Sequence, residues 1–352
     1  MKHFMVLIGL APILVARGEL LRHESSIDAM GSTFTVAAYG DDRQKLITAV
    51  DLALEEARRL DHKLSNYRPE SEWSEVNRLA SERPVTVSPE LFRLLAFCVE
   101  VSRESEGTFD ITVGPLMRVW GFYKGSGHLP HRAEVRGTLV KVGYKNIVLD
   151  PLARTVRFSR QGVEIDPGGV GKGYAVDRMA DILKENGIRS AFITAGGSSM
   201  YAIGTPPGEP GWKVQIRNPK ARTGLARPAN PPETRALSAA PNSVVRASFL
   251  MEESNVAAET LLKDESMATS GNYEKFFRVG RHIYSHIMDP RTGFPSEGMY
   301  SVSVIAPLGL DSEVWAKPYY ILGRQWAAKH NPKQFRIFMC EDKGEPVCAW
   351  LQ

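Results

Sequence analysis

Asp166-Pro167-Gly168-Gly169-Val170-Gly171-Lys172-Gly173-Tyr174 is a glycine-rich turn that feeds straight into a helical pattern. Beyond it, Ala175, Met179, Ile182 and Leu183 recur at helical spacing and the pattern stops at Gly187, which predicts a helix over residues 174–186. A turn of this kind offers free backbone N–H groups and the positive end of a helix to an anion. Its glycines permit close backbone approach, and Lys172 adds a charge suited to phosphate. It is not a Walker A loop, because Asp166 stands five positions before Gly171 and Gly173 occupies the place of the magnesium-binding Ser or Thr. Taken alone, it serves a tight connection as readily as a ligand site.

On the N-terminal side, residues 33–39 read as a short strand, and residues 44–65 place Leu46, Val50, Leu54, Ala57 and Leu64 on one helical stripe. Residues 89–104 form a second amphipathic pattern, with Pro89 suited to a first turn and Gly107 just past the end. On the C-terminal side, strand-like stretches fall at residues 190–194, 212–216, 282–288 and 301–305. Helices and strands are interspersed without the regular alternation of a doubly wound parallel sheet, so the predicted fold class is α+β, with mixed sheets and packed helices.

The chain has 352 residues, 43% hydrophobic and 24% charged, with ample apolar material for one large domain, expected over 30–350. Residues 219–243 interrupt it with a run rich in Pro, Ala, Arg and Asn, which reads as a surface insertion. The net charge of +4 comes from Lys and Arg spread along the chain rather than from dense basic runs, so no nucleic-acid partner is expected. Met1-Lys2-His3 and the apolar run over residues 4–16 have the charged start and short apolar core of a signal peptide over 1–20, which implies export to the periplasm or cell envelope. The run is too short for a transmembrane span, and a segment packed on the fold is the alternative. Cys98, Cys340 and Cys348 contain no C-x-x-C pair, which excludes a zinc ribbon or dithiol motif. Cys340 and Cys348 could bridge a C-terminal hairpin in an oxidising compartment.

Three further segments carry candidate chemistry. Ser285-His286-Ile287-Met288-Asp289-Pro290-Arg291-Thr292-Gly293 reads as a strand ending in an Asp-Pro-x-x-Gly turn that Asp289 caps, with His286 on the face opposite Ser285 and Ile287. By itself His286 fits a hydrogen-bonded structural histidine more readily than a catalyst. Tyr67 leaves a helix end and offers a flat ring for stacking on a heterocycle, or fastens a loop. In Gly107-Thr108-Phe109-Asp110-Ile111, Asp110 lies between apolar neighbours and needs donors from the protein or a ligand.

In their order, these segments resemble the ApbE-type family of FAD:protein FMN transferases. The likeness runs from Met30-Gly31-Ser32 through Tyr67-Arg68-Pro69-Glu70-Ser71-Glu72, Asn77, Phe109-Asp110, Trp120-Gly121-Phe122, the Asp166 turn, Ala195-Gly196-Gly197 and Ala268-Thr269-Ser270-Gly271, and on through His286 to about Gly323. The resemblance implies that Met30, Tyr67, Thr108, Phe109, Asp110, Asp166, Lys172 and Ile287 contact FAD, with Tyr67 stacking on a ring and Lys172 near the pyrophosphate. It implies attack by a Thr or Ser hydroxyl of an acceptor protein on the FMN-side phosphorus, with AMP leaving. His286 would accept the proton, and Asp289 would help arrange the phosphate site.

The resemblance also implies magnesium, held at the positions of Gly169, Glu313 and Lys317. Here the chain departs from the family pattern of Asp followed four residues later by Thr or Ser: it reads Glu313-Val314-Trp315-Ala316-Lys317, and a protonated lysine cannot ligate a metal. Pro318 disfavours helical geometry at Lys317, so juxtaposition of residues 313 and 317 on one helix is not expected. Gly197-Ser198-Ser199 replaces the usual Gly-Gly-Asp or Gly-Gly-Asn. The alternatives are a weakly catalytic FAD-binding protein and a pyrophosphatase that splits FAD into FMN and AMP.

Overall fold

The computed structural model describes residues 20–125, 127–219, 255–272, 275–280, 282–331 and 333–351. The chain opens with β1 (Leu21–Ala29), β2 (Ser32–Gly40), α1 (Arg43–Leu64), α2 (Glu72–Leu79), β3 (Val85–Thr86) and α3 (Pro89–Glu104). It continues through α4 (Gly114–Val119), α5 (Arg132–Leu139), β4 (Ile147–Asp150), β5 (Thr155–Phe158), α6 (Gly171–Glu185), β6 (Ser190–Ala195), β7 (Ser199–Ile203) and β8 (Trp212–Arg217). The last third holds β9 (Val256–Leu262), β10 (Glu265–Gly271), β11 (Phe276–Val279), β12 (His282–Ser285), β13 (Met288–Asp289), β14 (Phe294–Pro295), β15 (Met299–Ala306), α7 (Gly309–Lys329), β16 (Arg336–Asp342) and β17 (Pro346–Trp350).

Eight strands form one sheet in the order β1-β2-β6-β7-β10-β15-β16-β17, every neighbouring pair antiparallel. Helices lie on one face, so the class is α+β. Phe34, Val36, Ala38, Ala191, Ile193, Ala195, Tyr201 and Ile203 point from the strands into a core shared with α1 and α6. The intervening positions Tyr39, Met200, Ala202, Ile305 and Phe338 meet the β8–β9 hairpin on the other face. Both faces are therefore buried, which follows from the two-residue alternation of side chains along a strand. Further along the sheet, Val302, Val304, Ile337 and Met339 pack with α3 and α7 and with the small β3-β5-β4 sheet.

The predicted helix over residues 44–65 is α1, capped by Asp42 accepting from Gln44 N and Lys45 N. The prediction over residues 89–104 coincides with α3, where Ser88 caps and Pro89 occupies the first turn. Three expectations change. Helix α6 begins at Gly171, three residues earlier than predicted, because periodicity starts at the first buried side chain whereas the backbone turns at the glycines. The single strand over residues 282–288 is two pieces, β12 and β13, separated at His286 and Ile287. Finally, α7 runs through Pro318 instead of breaking before it, with buried Val314, Trp315, Tyr319 and Tyr320 around that turn. A proline inside a helix costs about 3 kcal/mol, and burial of four large side chains outweighs it. The helix breaks at Gly323 instead, where φ is +77°.

Cys340 and Cys348 sit opposite each other on β16 and β17 and form a disulfide, while Cys98 is a buried free thiol. Among the described residues no helix is long and apolar enough to cross a membrane. The leader expected over 1–20 and the insertion expected over 219–243 fall, but for Leu20 and Pro219, outside the described residues.

Candidate functional site

The glycine turn sits between α6 and the segment around Phe109. Ile111 O accepts from Asp166 N at 2.7 Å, so the 109–111 stretch runs beside the turn, and a Phe109 ring carbon lies 3.5 Å from where a Gly169 Cβ would be. Behind the turn, Asn77 pairs with the main chain of Ile165 through both its amide groups, at 2.7 and 2.9 Å. Asp166 Oδ1 caps the turn through Gly168 N at 2.8 Å. Its Oδ2 accepts from Tyr123 Oη at 2.7 Å and from Asn66 Nδ2 at 3.0 Å. The Asp166 carboxylate is thus fixed by the protein. Burial pushes the Tyr123 phenol far above its usual range, so it remains a donor.

Helices α6 and α7 cross at the turn. A Cβ at Gly309 would stand 2.6 Å from the Gly173 carbonyl oxygen, and a Cβ at Gly173 would collide with the Gly309 carbonyl oxygen, so the two backbones touch and both residues must be glycine for packing. Glu313, buried on α7, accepts from Gly173 N and so caps the first turn of α6 from another helix. One turn later, Lys317 lays its chain under Gly169, with Cε 3.1 Å and Cδ 3.5 Å from the Cβ position there. Its ammonium donates to Glu313 O at 2.9 Å. Burial and the nearby charge of Lys172 lower the amine to about 8, against the pull of Glu313 and Asp166. Lys172, from α6, donates to Ser198 Oγ in the β6–β7 turn, whose Gly196 and Gly197 take φ of +60° and +73°.

His286 enters from the break between β12 and β13. Its ring meets Phe122 edge-on at 6.5 Å, and Nδ1 lies 3.0 Å from Lys275 O. A carbonyl can only accept, so Nδ1 carries the proton and the Nε2 lone pair is available. Burial holds the imidazole down to about 4, and the charges of Lys275, Lys172 and Lys317 act in the same direction. The histidine is therefore a neutral base at neutral pH, and the charges that act on it are those of Lys275, Lys172 and Lys317.

The predicted residues divide between this centre and its surroundings. Phe109, Asp166, Gly169, Lys172, Glu313 and Lys317 meet at the turn, and the Met30 sulfur lies 3.6 Å from the Cβ position of Gly171. Tyr67 is 71% exposed and touches Tyr123 edge-on at 6.0 Å, which leaves its face open for stacking. Thr108 is buried with its hydroxyl on Ser105 O, and Ile287 is buried in the core. Asp110 finds its donors in the protein: Thr112 N, Thr112 Oγ1 and Tyr144 N, at 2.8, 2.7 and 2.5 Å. Burial still raises it to about 6. It faces a separate cleft of about 540 Å³ with Tyr144, Arg160 and Arg291. Asp289 caps its turn as expected and holds Arg291 at 2.9 and 3.0 Å; no hydrogen bond joins it to His286. Asn66 and Tyr123, which position Asp166, escape sequence reading. Their only signal is adjacency to Tyr67 and to Trp120-Gly121-Phe122.

The donor set does not suit a divalent cation. An ammonium occupies one of the three positions, and one Glu313 oxygen is taken by the α6 backbone. Among the described residues no group of three or more His, Cys, Asp or Glu side chains could hold a metal ion.

Residues 30–337 match the model of the ApbE family. The chain is 27% identical over 298 residues to the FAD:protein FMN transferase of Klebsiella pneumoniae, covering 84% of this chain and 80% of that one. It is 26% identical over 331 residues to the enzyme of the same name from Salmonella typhimurium, covering 92% and 85%. Its structure resembles the ApbE protein of Thermotoga maritima with a TM-score of 0.78 and 25% identity, over 94% and 96% of the two chains. The flavin transferase ApbE of Vibrio cholerae superposes with a TM-score of 0.74 at 23% identity, over 94% and 97%. With the glycine turn, the Asp-Pro-x-x-Gly turn and the sheet all in place, the chain belongs to the ApbE family.

Proposed function

We propose that this protein is an FAD:protein FMN transferase, using FAD as donor and a Thr or Ser hydroxyl of an acceptor protein as nucleophile. The observation that carries the reading is that Lys172, at the start of α6 on the glycine turn, and Lys317 beneath it stand near enough to His286 for their charges to act on its imidazole. The names of its relatives support the same reading. The ammonium groups and the helix end suit a pyrophosphate, and the exposed ring of Tyr67 suits a flat heterocycle. The acceptor hydroxyl oxygen bonds to the FMN-side phosphorus as the bond from that phosphorus to the bridging oxygen breaks. AMP leaves with the bridging oxygen, and the hydroxyl proton passes to His286 Nε2. Asp166 and Asp289 act by holding the two turns in shape, and no step is assigned to a metal.

Export belongs to the same proposal. The apolar leader and the Cys340–Cys348 bridge both suit an oxidising compartment outside the cytoplasm. To test the activity, purified protein is incubated with FAD and a threonine-bearing acceptor, followed by mass spectrometry and AMP detection. Covalent FMN on the acceptor with equimolar AMP is the expected result. Free FMN with AMP would mark a pyrophosphatase, and intact FAD a binding protein.

A further inference from the structure

The two side chains at the family's metal positions make a different kind of site here. Because α7 continues through Pro318, Lys317 stands one turn after Glu313, with its methylenes against Gly169. Glu313 turns its carboxylate toward α6 and caps Gly173 N, an attachment for which its extra methylene supplies the reach. The Lys317 ammonium spends one donor on Glu313 O and makes no ion pair among the described residues, although the charges of Glu313 and Asp166 act on it. Two of its three protons are left for a ligand at the turn. Across the turn stands a second ammonium, Lys172, held on Ser198.

We propose that the Lys317 ammonium is the built-in cation of this site and, with Lys172, neutralises the pyrophosphate of FAD without a bound metal. The inference rests on the reading that the protein takes FAD. The dinucleotide's pyrophosphate carries two negative charges, and Lys172 and Lys317 offer it two ammonium groups, while the carboxylates of Asp166 and Glu313 are already engaged by Gly168 N, Tyr123 and Asn66 and by Gly173 N. A divalent cation beside Lys317 would be repelled by it and would find too few oxygens. Glu313 and Lys317 then act as a pair: the acid reaches the helix end, and the lysine fills the space beside Gly169.

The experiment measures binding rather than turnover. Mn²⁺ alone is titrated into the full chain by calorimetry, and FAD is titrated by flavin fluorescence with magnesium and with a chelator. Expected are no Mn²⁺ binding at this site and FAD affinities equal within about twofold in the two buffers. Lys317→Met should weaken FAD binding by roughly 10- to 100-fold in both, the loss of charge-assisted hydrogen bonds, while Lys317→Arg keeps most of the affinity in chelator. The double variant Glu313→Asp with Lys317→Thr should bind FAD better with magnesium than with chelator. A wild type whose FAD affinity falls tenfold or more on chelation would overturn the inference while leaving the transferase reading intact. Unchanged binding by a folded Lys317→Met would overturn it as well. Failure to bind FAD under any condition would overturn both.

Discussion

The role proposed for His286 as base rests on a hydrogen bond and a depressed pKa, and both have consequences at the residue scale. Nδ1 is tied to Lys275 O, and a general base acts on the transition state rather than on ground-state binding, so replacing the ring with Ala removes the proposed proton acceptor and is expected to spare FAD affinity. His286→Ala should bind FAD like the parent and transfer FMN about 10²- to 10⁴-fold more slowly, measured in single-turnover experiments. Since burial holds the folded imidazole at about 4, the free protein carries it neutral across the range in which an ordinary histidine titrates. The kcat/KM for FAD should therefore show no inflection near pH 6.5, with any acid limb lying toward pH 4; a step at 6.5 that His286→Ala abolishes would refute this. The stability sign follows from the same shift. The unfolded histidine takes a proton below about 6.5 and the folded one does not, so its contribution is present above that pH and is lost as pH falls toward 4. Asp110 illustrates a reading half correct: its need for donors was legible, but that Thr112 and Tyr144 supply them depends on Tyr144 arriving from 34 residues away.

At the scale of elements, the site depends on the anchoring of α7. Leu308 provides no side-chain cap there; Asp177 of α6 accepts from Gly309 N and Leu310 N at 2.5 and 2.8 Å and caps α7 across the helix interface. Asp177→Ala should cost about 1–2 kcal/mol of stability by denaturant unfolding and weaken FAD binding too, because α7 carries Glu313 and Lys317. A surface-like effect below about 0.5 kcal/mol would show that the cap is dispensable. The insertion offers the opposite case. Strands β8 and β9 pair up to Arg217 and Val256, and Asn218 N donates to Asn255 O at 2.7 Å, so the chain ends flanking it already meet in register. Deleting residues 221–243 should change stability by less than about 1 kcal/mol and leave FAD affinity unaltered, read by melting and fluorescence titration.

For the whole molecule, the bridge between β16 and β17 ties the last strand to the edge of the eight-stranded sheet. Denatured without reductant, the protein should titrate one thiol, Cys98, and after reduction all three. Cys348→Ser should lower stability by about 2–3 kcal/mol. Three reactive thiols in protein purified from its native compartment would contradict export to an oxidising one.

What the sequence by itself determined is local or ordered along the chain. Periodicity, with Pro89 and Gly107 at the ends of the second pattern, placed α1 and α3 to within a residue, strand-like patterning placed β2, β6 and β15, and the succession of short motifs identified the family. These signals suffice because Pro89 or a glycine turn acts on its own neighbours. Tertiary structure decided what depends on distant partners. Pro318 stays helical because buried Trp315, Tyr319 and Tyr320 outweigh a local preference. Glu313 is a helix cap because α6 lies against α7, and Asp166 is held by Asn66 and Tyr123, 100 and 43 residues away. Lys317 faces the glycine turn for the same reason: its direction is set by the packing of two helices, which no window of sequence around it contains.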